Sequence, residues 1–156
     1  MKNYKTRALK PYIKLLPLML SLLFATSFAT AQTINTSTSG LSGFSSCSGS
    51  PSAAQTFTVS GNNLVANLVV TAPTGYEIST SAGSGYGGSI SLVPSSGDVN
   101  NTTIYVRLGS VASGNPESLI MISSGTSTKA VEVKGRVTSN PTITLDPFSQ
   151  RLFILG

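Results

Sequence analysis

Thr103-Ile104-Tyr105-Val106-Arg107-Leu108 decides how this chain is read. Apolar Ile104, Val106 and Leu108 alternate with Thr103, Tyr105 and Arg107. Successive strand side chains point to opposite faces, so a period of two gives one apolar face to bury and one polar face for solvent. No turn of helix spaces its apolar groups this way.

The same period recurs on either side. Phe57 and Val59 alternate with Thr56, Thr58 and Ser60. Leu64, Ala66, Leu68 and Val70 alternate with Val65, Asn67 and Val69. Tyr76 and Ile78 flank Glu77, and Ile90 and Leu92 flank Ser91. Val131, Val133 and Val137 alternate with Glu132, Lys134 and Arg136. Leu119-Ile120-Met121-Ile122 is apolar on both faces, which leaves its register open. Between these runs lie turn formers: Gly61-Asn62-Asn63, Ala72-Pro73-Thr74-Gly75, Gly83 to Gly88, Pro94 to Asn101, Ser113-Gly114-Asn115-Pro116 and Ser123-Ser124-Gly125. Glycine supplies positive φ, proline fixes φ, and asparagine bonds its own backbone. About seven short strands with turns between them predict an all-β chain folded as an antiparallel sandwich. Residues 32–43, rich in Ser, Thr and Gly, read either as a linker or as a first edge strand through Thr33-Ile34-Asn35-Thr36.

Charge divides the chain. The full sequence carries ten Lys and Arg against five Asp and Glu, a formal +5. Lys2, Lys5, Arg7, Lys10 and Lys14 all precede the apolar run Leu15 to Phe28, which leads to Ala29-Thr30-Ala31. That order predicts a signal peptide over residues 1–31, cleaved before Gln32, and a secreted or cell-surface product. The apolar run is short and interrupted by Pro17, Ser21, Thr26 and Ser27, so no membrane span is expected after cleavage. From Gln32 onward, basic Arg107, Lys129, Lys134, Arg136 and Arg151 balance acidic Glu77, Asp98, Glu117, Glu132 and Asp146. A nucleic-acid partner is therefore not expected.

The remainder forms one domain, residues 32–138. Residues 139–156 begin with a linker, Ser139-Asn140-Pro141. Thr142-Ile143-Thr144-Leu145 then echoes Thr33-Ile34-Asn35-Thr36, and predicts the truncated start of a second repeat; an ordinary C-terminal strand is the other reading.

The chain has no His and no Trp, and no two acids of the domain lie close in sequence. General acid–base chemistry needs groups whose pKa falls near the working pH, so the expectation is no enzyme, no catalytic residues and no cofactor. Asp98 with Asn100 and Asn101 offers oxygen ligands at a loop, but one carboxylate is too few for Ca²⁺ and no metal is expected. Cys47 is the single cysteine. It reads as a half-buried packing residue near a strand end, with a free thiol or a link to another chain as alternatives. The candidate ligand contacts are Tyr86, in the loop Gly83-Ser84-Gly85-Tyr86-Gly87-Gly88, and Tyr105 with Arg107, which share the outward face of one strand. A solvated strand face is the default reading of Tyr105 and Arg107; the alternatives are a stacked cation–π pair, a ligand patch, or contact with a neighbouring module. Tyr76 is expected in the core with its hydroxyl at the rim.

Several stretches resemble a repeat module of long exported surface proteins of Bacteroidota. They are Gly43-Phe44-Ser45-Ser46-Cys47-Ser48-Gly49-Ser50-Pro51-Ser52, Gln55-Thr56-Phe57-Thr58-Val59-Ser60-Gly61, Val69-Val70-Thr71-Ala72-Pro73-Thr74-Gly75-Tyr76-Glu77-Ile78-Ser79, Thr103 to Leu108, and Val131-Glu132-Val133-Lys134-Gly135-Arg136-Val137. The resemblance covers residues 33–138. It implies an immunoglobulin-like sandwich used in arrays, exported by the type IX route, with no catalytic residues. The function expected is a structural or adhesive module, a spacer or interaction domain. Its partners would be neighbouring repeat modules, cell-surface proteins or glycans. The alternative is a carbohydrate-binding accessory module of an extracellular enzyme.

Overall fold

A computed structural model of the chain describes residues 31–139. The predicted signal peptide, apart from Ala31, and the predicted start of a second repeat beyond Ser139 lie outside the described residues. Nine strands and no helix form within them: β1 (Thr33–Thr36), β2 (Gly40–Cys47), β3 (Gln55–Asn62), β4 (Leu68–Thr71), β5 (Tyr76–Ser79), β6 (Ser89–Leu92), β7 (Val99–Leu108), β8 (Glu117–Ser124) and β9 (Ser127–Thr138). They make a four-stranded sheet of order β1-β3-β7-β5 and a five-stranded sheet of order β2-β9-β8-β4-β6. Written in immunoglobulin letters, the first sheet is A-B-E-D and the second contains C, F and G as β4, β8 and β9. β2 is added beside β9, and β6 beside β4.

The alternating runs become the strands, and their apolar faces become the core. Phe57, Val59, Tyr76, Ile78, Ile104, Val106 and Leu108 point inward from the first sheet. Phe44, Leu68, Val70, Ile120, Ile122, Val131 and Val133 meet them from the second. Each large side chain so buried contributes about 1.5–3 kcal/mol. The register of β8 is settled: Ile120 and Ile122 are fully buried, while Leu119 and Met121 are 49% and 44% exposed. Phe44 and Tyr76 meet edge to face across the sandwich, ring centroids 5.5 Å apart.

The strand count exceeds the seven expected, chiefly because residues 32–47 form two strands. β1 takes the edge-strand reading over the linker, paired with β3 from Thr33 opposite Asn62 to Thr36 opposite Val59. β2 was not foreseen. Its inward residues, Leu41 and Phe44, are three apart in sequence, yet they face Val133 and Gly135, which are two apart. The extra residue is a bulge, and Gly43 takes it up at a φ of 81°. A bulge shifts the alternation by one and hides the strand from a period-two reading. β2 also runs parallel to β9, the one exception among the described strand pairs to an antiparallel design. A further difference lies at residues 64–67, which read as strand but precede β4 as a loop. Leu64 still reaches the core, whereas Val65 and Ala66 are exposed.

The sandwich has two distinct poles. Thr33 lies opposite Asn62 at the end of β3, and the Gly125 turn packs against Gln32 and Val65. This is the entry pole. At the other end Thr138 pairs with Cys47, the Ser52 amide bonds the Leu108 carbonyl, and the Val137 amide bonds the Gly114 carbonyl. β9 spans the distance in 12 residues, about 40 Å at ~3.3 Å per residue. The chain enters at one pole and leaves at the other.

Candidate functional site

β5 and β7 pair with Glu77 directly opposite Arg107. Both side chains alternate outward, since Tyr76, Ile78, Val106 and Leu108 occupy the inward positions. The Arg107 guanidinium donates twice to Glu77 Oε2, from Nε at 3.0 Å and from Nη2 at 2.9 Å. The side chains are 28% and 31% exposed. A directly opposed pair of opposite charge is the favourable cross-strand arrangement, and its charge-assisted bonds fix the guanidinium plane.

The chain then leaves β5 for the glycine-rich loop and folds back over this pair. Ile78 and Gly87 exchange backbone hydrogen bonds of 2.8 and 3.0 Å, and the Ala72 amide bonds the Gly88 carbonyl at 2.8 Å. The Ser79 hydroxyl donates to the Ser84 carbonyl at 2.6 Å. The Tyr86 hydroxyl donates to the Ala82 carbonyl at 3.1 Å. So held, the Tyr86 ring stacks on Arg107, with the guanidinium carbon 3.8 Å from the ring centroid.

All three candidate contacts therefore share the outer face of the four-stranded sheet. Tyr86 touches Arg107, and Tyr105 lies half-buried two residues along β7, opposite Ser79 and Thr56. Of the alternatives for Arg107, the cation–π stack is realised with Tyr86 and not with Tyr105. Neighbours on one face of a strand project side by side about 7 Å apart, whereas the loop lowers Tyr86 onto the guanidinium. Tyr86 is not a free loop tip. The residue that sequence reasoning missed is Glu77, whose place opposite Arg107 depends on the β5–β7 register.

The other acids are engaged elsewhere. Asp98 Oδ1 accepts from the Asn63 amide at 3.2 Å and from Asn62 Nδ2 at 3.4 Å, tying together two turns of the entry pole. Glu117 and Glu132 both bind Lys134, at 3.0 and 3.1 Å; their hydrogen bonds, Glu117 first, hold the Lys134 ammonium above its usual pKa. Among the described residues no three His, Cys, Asp or Glu gather as a metal site. Tyr76 takes the place expected of it, buried with its hydroxyl at the rim. Cys47 does not: it is exposed and free. It occupies the last paired position of β2, where Phe44 and not Cys47 takes the inward place.

No protein-family profile matches the chain, and no curated protein matches it. Among solved structures it is similar to domains 4 and 5 of the S-layer protein SbsC, with 24% identity and a TM-score of 0.35, over 67% of this chain and 50% of that one. The chain thus spans about half the length of that structure.

Proposed function

We propose that the chain is a non-enzymatic structural or adhesive module of an exported surface protein, a spacer of the kind strung in arrays by Bacteroidota. The observation that carries this reading is the polarity of the sandwich. Entry at Thr33 and exit at Thr138 lie at opposite poles, about 40 Å apart along β9. Modules joined in this way extend in line, and each adds its full height to the reach of the protein. The carboxylates support the non-enzymatic part. Glu77, Asp98, Glu117 and Glu132 each serve a structural partner. Neighbouring modules, cell-surface proteins and glycans are the partners of such a spacer, and the type IX route is its means of export.

The test is surface exposure. Protease added to intact cells of the source should cut the chain, and antibodies against the folded domain should label unbroken cells. A chain protected until the envelope is lysed would overturn the reading. Dyes placed at residues 32 and 138 should report a separation near 40 Å; a value under about 20 Å would remove its geometric basis.

A further inference from the structure

We propose that the outer face of the four-stranded sheet, around Tyr86, Tyr105, Arg107 and Glu77, is a binding surface for a neutral glycan, an inference that rests on the surface-module reading and names the site and the class of its glycan partner. The loop over Arg107 is built from Gly and Ser, residues that leave a chain floppy, yet it is pinned by the Ile78–Gly87 exchange, the Ala72–Gly88 bond, the Ser79–Ser84 bond and the Tyr86–Ala82 bond. Tyr86 is thereby held in one place at the surface rather than buried in the core. A pre-set aromatic loses little freedom when it takes a ligand, which is the condition under which weak stacking contacts add up to useful affinity.

The polar groups around it fit a polyol. Both Arg107 bonds fall on Glu77 Oε2, so Oε1 remains as an acceptor, and Arg107 keeps three of its five N–H donors. Donor and acceptor thus lie side by side on one rigid unit, the arrangement that adjacent sugar hydroxyls satisfy in both directions. Thr56 and Thr103 add exposed hydroxyls on the same face, opposite and two residues before Tyr105. Tyr105 supplies the second aromatic, one strand repeat from the first contact.

Charge selects the class of sugar. Glu77 neutralises Arg107, and no other cation stands on this face of β5, β7 or β3. An acidic glycan would find no uncompensated charge to bind, whereas a neutral one gives up no ionic contact.

Affinity chromatography of the exported chain tests this, on columns of immobilised hydroxyethyl cellulose, xylan, mannan and dextran as neutral probes and polygalacturonate as the acidic one. At least one neutral polymer should retard the chain. Tyr86→Ala and Tyr105→Ala should each weaken retardation about two- to tenfold, the scale of one lost stacking contact. Leu119→Ser on the opposite sheet should leave it unchanged. The wild-type chain gives a second measurement: a retarding polymer should protect Tyr86 and Tyr105 from nitration. Failure of every neutral polymer to bind, retardation by polygalacturonate alone, or retardation without protection of either tyrosine would overturn the proposal. None of these outcomes bears on surface exposure or on the separation of the poles.

Discussion

The Tyr76 hydroxyl donates a 2.9 Å hydrogen bond to the carbonyl of Pro116, 40 residues away, and that same oxygen accepts the Gly135 amide at 2.9 Å. One carbonyl thus joins β5 of the first sheet to β9 of the second at the exit pole. Burial, with the Glu117 charge a lesser cause, pushes the Tyr76 pKa up to about 12. A raised acid is neutral in the fold and ionises more readily once unfolded. The stability it lends is therefore complete below pH 10 and lost as pH rises from 10 to 12. Tyr76→Phe should cost about 1 kcal/mol at neutral pH. In urea unfolding the gap between wild type and variant should narrow across pH 10–12; a constant gap would mean the hydroxyl does not titrate with folding.

Gly135 stands against the same hydroxyl. A Cβ there would lie 2.9 Å from Tyr76 Oη, closer than real Cβ contacts come, and 3.0 Å from Leu108 Cδ2, which would have to give way by a few tenths of an ångström. Gly135→Ala should destabilise by about 1–3 kcal/mol. In a Tyr76→Phe background the cost should shrink, because the nearest clashing atom is gone. A double-mutant cycle measures the difference, and strict additivity would place the strain elsewhere.

Neighbours on β7 should behave as opposites. Val106 is fully buried, and Arg107 lies on the outer face. Val106→Asp would bury an unpaired charge and should unfold the domain. Arg107→Ser removes a partly exposed ion pair and should cost no more than about 1 kcal/mol. Thermal melts should separate the two clearly; similar losses would contradict the register.

Cys47 should react with a thiol reagent in the native state at nearly the rate of a free peptide thiol, since its side chain is exposed. Cys47→Ala should change stability by less than about 0.5 kcal/mol. Labelling that waits for unfolding would mean β2 seats Cys47 inward.

What the sequence conveyed and what it hid follow one physical line. Where alternation coincides with a paired strand, as in Phe57–Val59, Ile104–Leu108 and Val131–Val133, the apolar face is the buried one, because facing and burial are the same property in a strand. The Gly43 bulge broke the alternation and concealed β2. Residues 64–67 kept the pattern without keeping the strand: Leu64 buries its side chain from a loop. At the site, sequence alone places Tyr105 and Arg107 on an outward face and Tyr86 in a loop; all three are half-buried in the structure. That Tyr86 and not Tyr105 lies on Arg107, and that Glu77 holds it, depended on pairing between segments 30 residues apart, and no local pattern encodes such pairing.

The parallel run of β2 beside β9 has a mechanical consequence. From Gly40 opposite Glu132 to Cys47 opposite Thr138, the two strands point the same way, one near the start of the domain and the other at its end. Tension drawn through the chain pulls β2 toward the entry pole and β9 toward the exit pole once the short β1 has let go. The load then runs along the ladder rather than across it. Its hydrogen bonds bear the strain together and must fail together, where an antiparallel hairpin would unzip one bond at a time.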